Sequence, residues 1–497
     1  MNWDALIPVS VIMSSLLPGL MIFGLPEERR RLRTAFNLIG IFATLALVVF
    51  MFVDDYQGHH YETRWTLLSG LDMVLRADPL ALLFAALSSV LWLLTTVYAI
   101  GYLEGSAHSS RFFGFFSLCI TATIGVSLSG NLITFLIFYE MLTLCAYPLI
   151  IHRGTEKVRR SGQSYLIYTI FGGALLLLGT VWLYTLTGTL EFAPRGFIEN
   201  VDEAHYFSLV SIFILLIAGF GVKAALVPLH GWLPIAMVAP APVSALLHAV
   251  AVVKAGAFGI VRVIYEVFGV EKAALLGLTQ SLAVLAAITI IYGSIKALYQ
   301  DDLKRRLAYS TVSQVSYIML GVAIVGPIAT IGGVVHLVHQ GVMKITLFFS
   351  AGNLAETLGI HKVSEMNGVG RRMPLTMAAF TIGALGMIGV PPIAGFITKW
   401  YLGLGALEAD EEWVILILLA STLLNAGYFL PVLYRAWFLP TPDRWPDEHN
   451  FGRKETSLML LIPPLITALL SLSFGLLAAS PYSPLEWVKL ISRREFY

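Results

Sequence analysis

The sequence is short of charge and of cysteine. Asp, Glu, Lys and Arg make up 13% of its 497 residues, while 57% are hydrophobic; a soluble domain carries about 25% charge. That imbalance excludes a water-soluble globule. Lys and Arg number 32 against 31 Asp and Glu, a formal net charge of +1, so no basic surplus points to nucleic acid. The two cysteines, Cys119 and Cys145, lie in apolar runs outside any Cys-x-x-Cys or Cys/His cluster, which argues against a zinc or iron–sulfur site held by this chain. There is no Gly-rich phosphate loop and no Gly-x-Gly-x-x-Gly after a strand, and no cofactor or metal is expected. Asp4 precedes the first apolar run and the cluster Arg29–Arg33 follows it, the reverse of a signal peptide's charge order, so no cleavable signal is expected.

What the sequence has in abundance is long apolar runs. At about 20 residues per crossing, runs centred near residues 15, 45, 88, 120, 141, 175, 218, 252, 285, 316, 340, 388, 425 and 468 predict about fourteen transmembrane helices. The expected fold class is an all-α polytopic membrane protein. The connections after spans 1, 5, 9, 11 and 13 are basic (Arg29–Arg33; Arg153, Lys157, Arg159, Arg160; Lys304–Arg306; Lys362, Arg371, Arg372; Arg444, Arg453, Lys454). Those after spans 2, 6 and 12 are acidic (Asp54, Asp55; Glu199, Asp202, Glu203; Glu408, Asp410–Glu412). Positive-inside bias then places both termini on the outer face, with the tail residues Lys489, Arg493 and Arg494 as a counter-signal.

The hexapeptide Ala218-Gly-Phe-Gly-Val-Lys223 recurs as Ala394-Gly-Phe-Ile-Thr-Lys399. With five spans per unit, a second copy would lie inverted in the membrane, as in transporters built from inverted repeats with broken helices; chance recurrence of common residues is the alternative.

Five ionisable residues interrupt the apolar runs: Glu140, Lys223, Lys254, Lys344 and Lys399. Unpaired at mid-bilayer they would cost upwards of about 10 kcal/mol together, so they must meet each other, polar groups or internal water. A desolvated lysine gives up its proton more readily and a nearby carboxylate reverses that. Moving Glu140 relative to Lys223 would therefore load or unload a proton; the alternative is a static ion pair that staples helices together. His336 and His339, at i and i+3, face nearly the same way, and His248 lies six residues before Lys254. Imidazoles suit transfer between lysines. Lys344 is five residues from His339, about 140° around an ideal helix. Pro228, Pro234, Pro240, Pro242 and Gly389-Val-Pro391-Pro392 sit beside these charges, where helix breaks survive if the freed groups line a cavity.

Several stretches together resemble the antiporter-like, proton-translocating subunits shared by respiratory complex I, membrane-bound hydrogenases and Mrp-type cation/proton antiporters. They are Arg76-Ala-Asp78-Pro-Leu; Tyr139-Glu140; Lys223 through Pro228-Leu-His230-Gly-Trp232-Leu-Pro234; Ala239-Pro-Ala-Pro-Val-Ser-Ala-Leu-Leu-His248 with Lys254-Ala-Gly; Asp301-Asp-Leu-Lys304-Arg-Arg-Leu-Ala-Tyr-Ser310-Thr-Val-Ser-Gln314; and Gly395-Phe-Ile-Thr-Lys399. The likeness runs from about residue 76 to 435. It implies fourteen spans around two inverted five-helix repeats: helices 1–3 in residues 1–105, a first repeat (helices 4–8) in 106–270, a second (helices 9–13) in 271–440, and helix 14 with the tail in 441–497. It also implies that Glu140 and Lys223 form the pair of a first half-channel. Lys254, His248 and the span-11 histidines would be the central connection, and Lys399 the terminal site of a second half-channel. Gly368-Val-Gly-Arg371-Arg372-Met-Pro374 and Gly395-Phe-Ile-Thr-Lys399-Trp-Tyr-Leu look most like the D subunit of Mrp antiporters. Ile235-Ala-Met237 stands where many complex I relatives have Asp and His. The expectation is a non-enzymatic proton-translocating subunit of a Na+/H+ antiporter in a bacterial cytoplasmic membrane, moving H+ and Na+ with other membrane subunits as partners. The rival is the same relay serving a redox complex; a stand-alone solute carrier is the third reading. No counterpart of Glu140 is evident in the second repeat, where Ser316 or Gln314 would stand.

Overall fold

In a bilayer every backbone N–H and C=O must find its partner within the protein, which leaves long helices as the form available to runs like these. The computed structural model describes residues 3–56, 58–68, 70–103, 105–198, 205–449 and 454–497. Its principal helices are α1 (Trp3–Phe23), α2 (Arg30–Asp55), α3 (Pro79–Tyr102), α4 (Ser109–Ser127), α5 (Leu132–Ile150), α6 (Glu156–Thr187) and α7 (Tyr206–Ala224). There follow α8 (Ala241–Phe268), α9 (Leu278–Leu298), α10 (Leu303–Ala323), α11 (Pro327–Leu358), the halves α12a (Pro374–Ile388) and α12b (Ala394–Glu408), α13 (Trp413–Phe438), α14 (Leu458–Leu476) and α15 (Pro484–Phe496). One antiparallel hairpin, β1 (Tyr61–Leu68) with β2 (Leu71–Ala77), joins α2 to α3. Local sequence sets the starts. Asp78 accepts the Ala81 N–H (2.9 Å) with Pro79 in the first turn of α3, and Asn131 accepts the Thr134 N–H (2.8 Å) at α5.

Among the described residues, twelve helices are long and apolar enough to cross a membrane. Two of the fourteen expected spans fall outside that count for physical reasons. Helix α10 carries Lys304–Arg306 and five polar residues between Ser310 and Ser316, and α12 is cut into two 15-residue halves. Helices α8 and α11 are buried along their whole apolar windows, whereas α1, α2 and α13 are one-third buried and face outward.

The two five-helix sets match in form. Helices α6 and α11 are each 32 residues long, and each precedes a broken span. The hexapeptide echo does not occupy equivalent places, however. Lys223 lies in the last turn of α7, before the break, while Lys399 lies in α12b, after it. What the sets share is a lysine beside a break.

Loops segregate to two ends. At one, Glu27 caps α4 through Ser109 N–H (3.0 Å), Arg153 reaches Tyr102 (3.3 Å), Lys304 donates to the Ala239 carbonyl (2.6 Å), Asp302 and Lys362 pair antiparallel through their backbones, and Arg372 meets Glu448 (2.7 Å). At the other, Arg64 and Arg76 of the hairpin meet Glu191, and Arg64 holds the Glu191 and Asp72 carboxyls below their ordinary range. Glu199, Asp202, Glu203 and Arg453 lie outside the described residues. The basic tail is not a free loop. Lys489 pairs with Glu486 (2.6 Å), Trp487 donates to the Pro79 carbonyl (2.8 Å) and stacks on Phe52, and Ser492 donates to the Pro327 carbonyl (2.9 Å). Helix α15 is thereby docked at the hairpin end.

Candidate functional site

The expensive charges converge along the middle of the molecule. Lys223, Lys254 and Lys344 are fully buried and Lys399 is half-buried. None of the four forms an ion pair among the described residues; each ends on an oxygen that carries no formal charge. Lys223 Nζ donates to the Tyr139 carbonyl and lies 3.3 Å over the Tyr139 ring. Lys254 donates to the Leu337 carbonyl (2.8 Å), Lys344 to Ser310 Oγ (2.8 Å), and Lys399 to the Ile388 carbonyl (2.6 Å) and Thr422 Oγ1 (2.7 Å). Ile388 is the last residue of α12a, so Lys399 occupies one of the carbonyls that the break sets free.

Glu140 is next to Tyr139 on α5, yet Lys223 turns to the tyrosine and not to the carboxylate. Glu140 Oε1 is buried without a hydrogen-bond partner. It lies against Gly173 of α6, where an added Cβ would collide with it. The obstacle is the end of a flexible side chain, so Gly173→Ala is expected to leave assembly intact while displacing the carboxylate. Transport by the assembled complex should fall at least about tenfold, and an unchanged rate would show that the position of Glu140 is immaterial.

Among the described residues Lys399 has no carboxylate paired with it. Its Nζ lies 5.8 Å from the Tyr317 ring of α10, as Lys223 lies over Tyr139 of α5. The tyrosine is thus common to both halves and the carboxylate is not.

Between these ends run the histidines. His248 sits in a π-helical stretch of α8 (Leu246–Val250), and its Nδ1 is 3.0 Å from Thr311 Oγ1. His336 and His339 both direct Nδ1 at the hydroxyl of Thr398, at 3.2 and 3.1 Å, which fits their i, i+3 spacing. All three Nε2 atoms are buried without partners. Lys344 lies apart from His339, as the spacing implied, but in line with His336 through Gln340 at four-residue steps along α11.

Sequence reading missed Gln340. Both of its side-chain amide atoms are buried and unpaired, and the i+4 spacing on each side was the available signal. It also missed Thr398, Ser310, Thr311 and the branch in which Tyr428 bonds Ser310 (3.1 Å) and Asn425 (2.5 Å), with Asn425 bonding the Met387 carbonyl (3.2 Å). Apart from Tyr428–Asn425 within α13, those links cross between helices and have no sequence period. Orphaned buried atoms on Glu140, three histidines and Gln340 along one row mark a polar interior, the kind of place where internal water completes hydrogen bonds. Among the described residues no group of three or more His, Cys, Asp or Glu could hold a metal ion.

Comparison with known proteins identifies the family. A family model described as NADH:quinone oxidoreductase/Mrp antiporter, TM, matches residues 129–425. The N subunit of the NADH-quinone oxidoreductase of Desulforudis audaxviator (strain MP104C) is 38% identical over 433 residues, covering 84% of each chain. The D subunit of the Na(+)/H(+) antiporter of Bacillus subtilis (strain 168) is 29% identical over 482 residues, covering 96% of this chain and 94% of that one. One chain of the Mrp complex from Dietzia sp. DQ12-45-1b shares the fold at a TM-score of 0.86, with 22% identity over 100% of this chain and 98% of its own. The family match spans more than half of the sequence and takes in the whole row from Glu140 to Lys399, and the chain belongs to the NADH:quinone oxidoreductase/Mrp antiporter family of membrane subunits.

Proposed function

We propose that this chain is the proton-translocating subunit of a multisubunit Na+/H+ antiporter. Protons pass along Glu140, Lys223, Lys254, the three histidines, Lys344 and Lys399 through hydroxyls and internal water. The observation that carries this reading is the set of buried lysines that end on carbonyl and hydroxyl oxygens and not on carboxylates. A fixed ion pair would hold a lysine proton in place, whereas these contacts leave it free to be passed on. Glu140, which forms no salt bridge with Lys223 among the described residues, supplies the movable charge. The near full-length likeness to an antiporter D subunit supports the antiporter assignment, as does Ile235-Ala-Met237.

A second reading has its own support. The 38% identity to an oxidoreductase N subunit favours the same relay in a redox-driven quinone oxidoreductase. One experiment separates them: purify the assembly through a tag on this chain, identify its subunits and reconstitute it in vesicles. Small hydrophobic partners together with Na+-dependent collapse of an imposed pH gradient support the antiporter. Flavin and iron–sulfur partners without Na+ dependence support the redox complex. Loop charge and the partition of the two ends support a bacterial cytoplasmic membrane location with the hairpin end and both termini outside.

A further inference from the structure

At the hairpin end lies a second set of buried charges that the lysine row does not use. Arg262 of α8 is fully buried. Its guanidinium binds Asp78 through Nη1 (2.8 Å) and Nη2 (3.2 Å), and it contacts Glu266 one turn further along. Arg494 of α15 reaches the same two carboxylates, 3.5 Å from Glu266 and 3.9 Å from Asp78. Glu495 beside it is 2% exposed, lies 3.7 Å from Arg494 Nε and accepts the Arg195 N–H at 3.3 Å. Three carboxylates therefore share two guanidiniums in a place largely closed to water. A buried carboxylate left over from pairing keeps its proton.

The cluster has an inner and an outer side. Inward, Lys254, Phe258, Arg262 and Glu266 share one face of α8 at four-residue spacing. Tyr265 bonds Thr330 of α11 (2.7 Å), six residues before His336. Outward, a cavity of about 310 Å3 touches Glu495 and is also lined by Arg195, Glu271 and Lys272. The second π-helical stretch, Val263–Phe268, places Glu266 between the two sides.

We propose that this cluster is a proton-exchange station on the hairpin side of the relay, adjoining it at Lys254, with Glu495 the group that trades its proton with water in the adjoining cavity and α15 the element that holds it there. The station rests on the relay reading above. The groups that face Glu495 are Arg494 on its own helix, Glu266, Tyr265 and Arg262 of α8, Asp78 at the start of α3, and Arg195, Glu271 and Lys272 around the cavity; Asp55 at the end of α2 acts on Asp78 and Arg494. Burial first, then the Glu266 charge, pushes the Glu495 carboxyl up to about 8, so it is protonated below that pH and released above it.

The test uses the intact complex in vesicles, with the pH on the hairpin side varied and the other side held fixed. Wild type should show a change of rate centred near pH 8 on that side, and a protonated-carboxyl infrared band titrating at the same pH. Glu495→Gln should remove the band and flatten the profile, with transport down at least about tenfold; Glu495→Asp should keep a shifted profile. A Glu495→Gln complex with the wild-type profile overturns the station, and so does a wild-type complex without a titrating band, which holds even where the variant fails to assemble. Lys223→Ala, run in parallel, separates the two claims. Normal transport in it defeats the relay itself, while loss in Lys223→Ala with a wild-type Glu495→Gln profile defeats only the station.

Discussion

Lys223→Ala should assemble normally and transport no protons, a loss of at least about a hundredfold against wild type in reconstituted vesicles. The side chain is fully buried at the end of α7, where the chain leaves the helix at Ala225, and Gly256 of α8 packs so closely that an added Cβ would collide with the Ala224 nitrogen. Alanine leaves that backbone contact alone and removes a buried cation that has no ion-pair partner among the described residues, so the complex is expected to assemble. The informative companion is Lys223→Arg. A guanidinium keeps the charge but is not deprotonated in proteins. If Lys223 is a static staple near Glu140, arginine should retain much of the activity; if it hands on a proton, arginine should be as inactive as alanine. Tyr139→Phe should change little, because phenylalanine supplies both the carbonyl and the ring that Lys223 uses. Glu140→Gln should match Lys223→Ala, since glutamine cannot change charge. Transport at the wild-type rate in both Lys223 variants would remove this residue from the path.

The parts of this architecture that the sequence disclosed are those written in period and composition. Apolar runs located the spans, proline and glycine marked the breaks at Pro228 and Gly389–Pro392, and buried charge singled out Glu140 and the four lysines. The i, i+3 spacing of His336 and His339 put them on nearly the same side of α11, where they share a partner. That the partner is the Thr398 hydroxyl was not legible, because nothing in the sequence says which residue of α12b meets α11 across the bundle. The hexapeptide echo misled for a related reason. Ala-Gly-Phe-x-x-Lys records which residues pack tightly near a break, and tight packing is needed on either side of one, so Lys223 came to rest before its break and Lys399 after. The basic tail, a counter-signal to the orientation in the sequence, is tied down in the structure: Arg494 is engaged by Asp78 and Glu266, partners hundreds of residues away. Glu140 and Lys223 lie close enough for their charges to interact, and the turn of Lys223 to Tyr139 is what the structure adds.

Arg262→Met is the change expected to cost the fold most. Removing one member of a buried ion network leaves its partners charged and unsolvated, a penalty of about 3–5 kcal/mol. Here it would leave Asp78 and Glu266 facing one another with Arg494 alone to answer them, at the point where α3, α8 and α15 meet. Asp78 also caps α3 through the Ala81 N–H, so the damage would spread to that helix start. The expected result is a marked drop in the melting temperature of the purified complex, with the α15 segment cut by protease while the rest of the chain remains intact. If the penalty comes from stranded charge and not from lost packing, it should be largely reversed by neutralising the partners. Asp78→Asn retains the oxygen that caps α3, and Glu266→Gln keeps the size of the side chain. The triple variant Arg262→Met, Asp78→Asn, Glu266→Gln should therefore melt close to wild type, since uncharged groups in place of a buried ion network are often neutral or better. A single variant that melts like wild type, or a triple variant no better than the single, would mean that packing around α15, and not its charges, holds this end of the molecule closed.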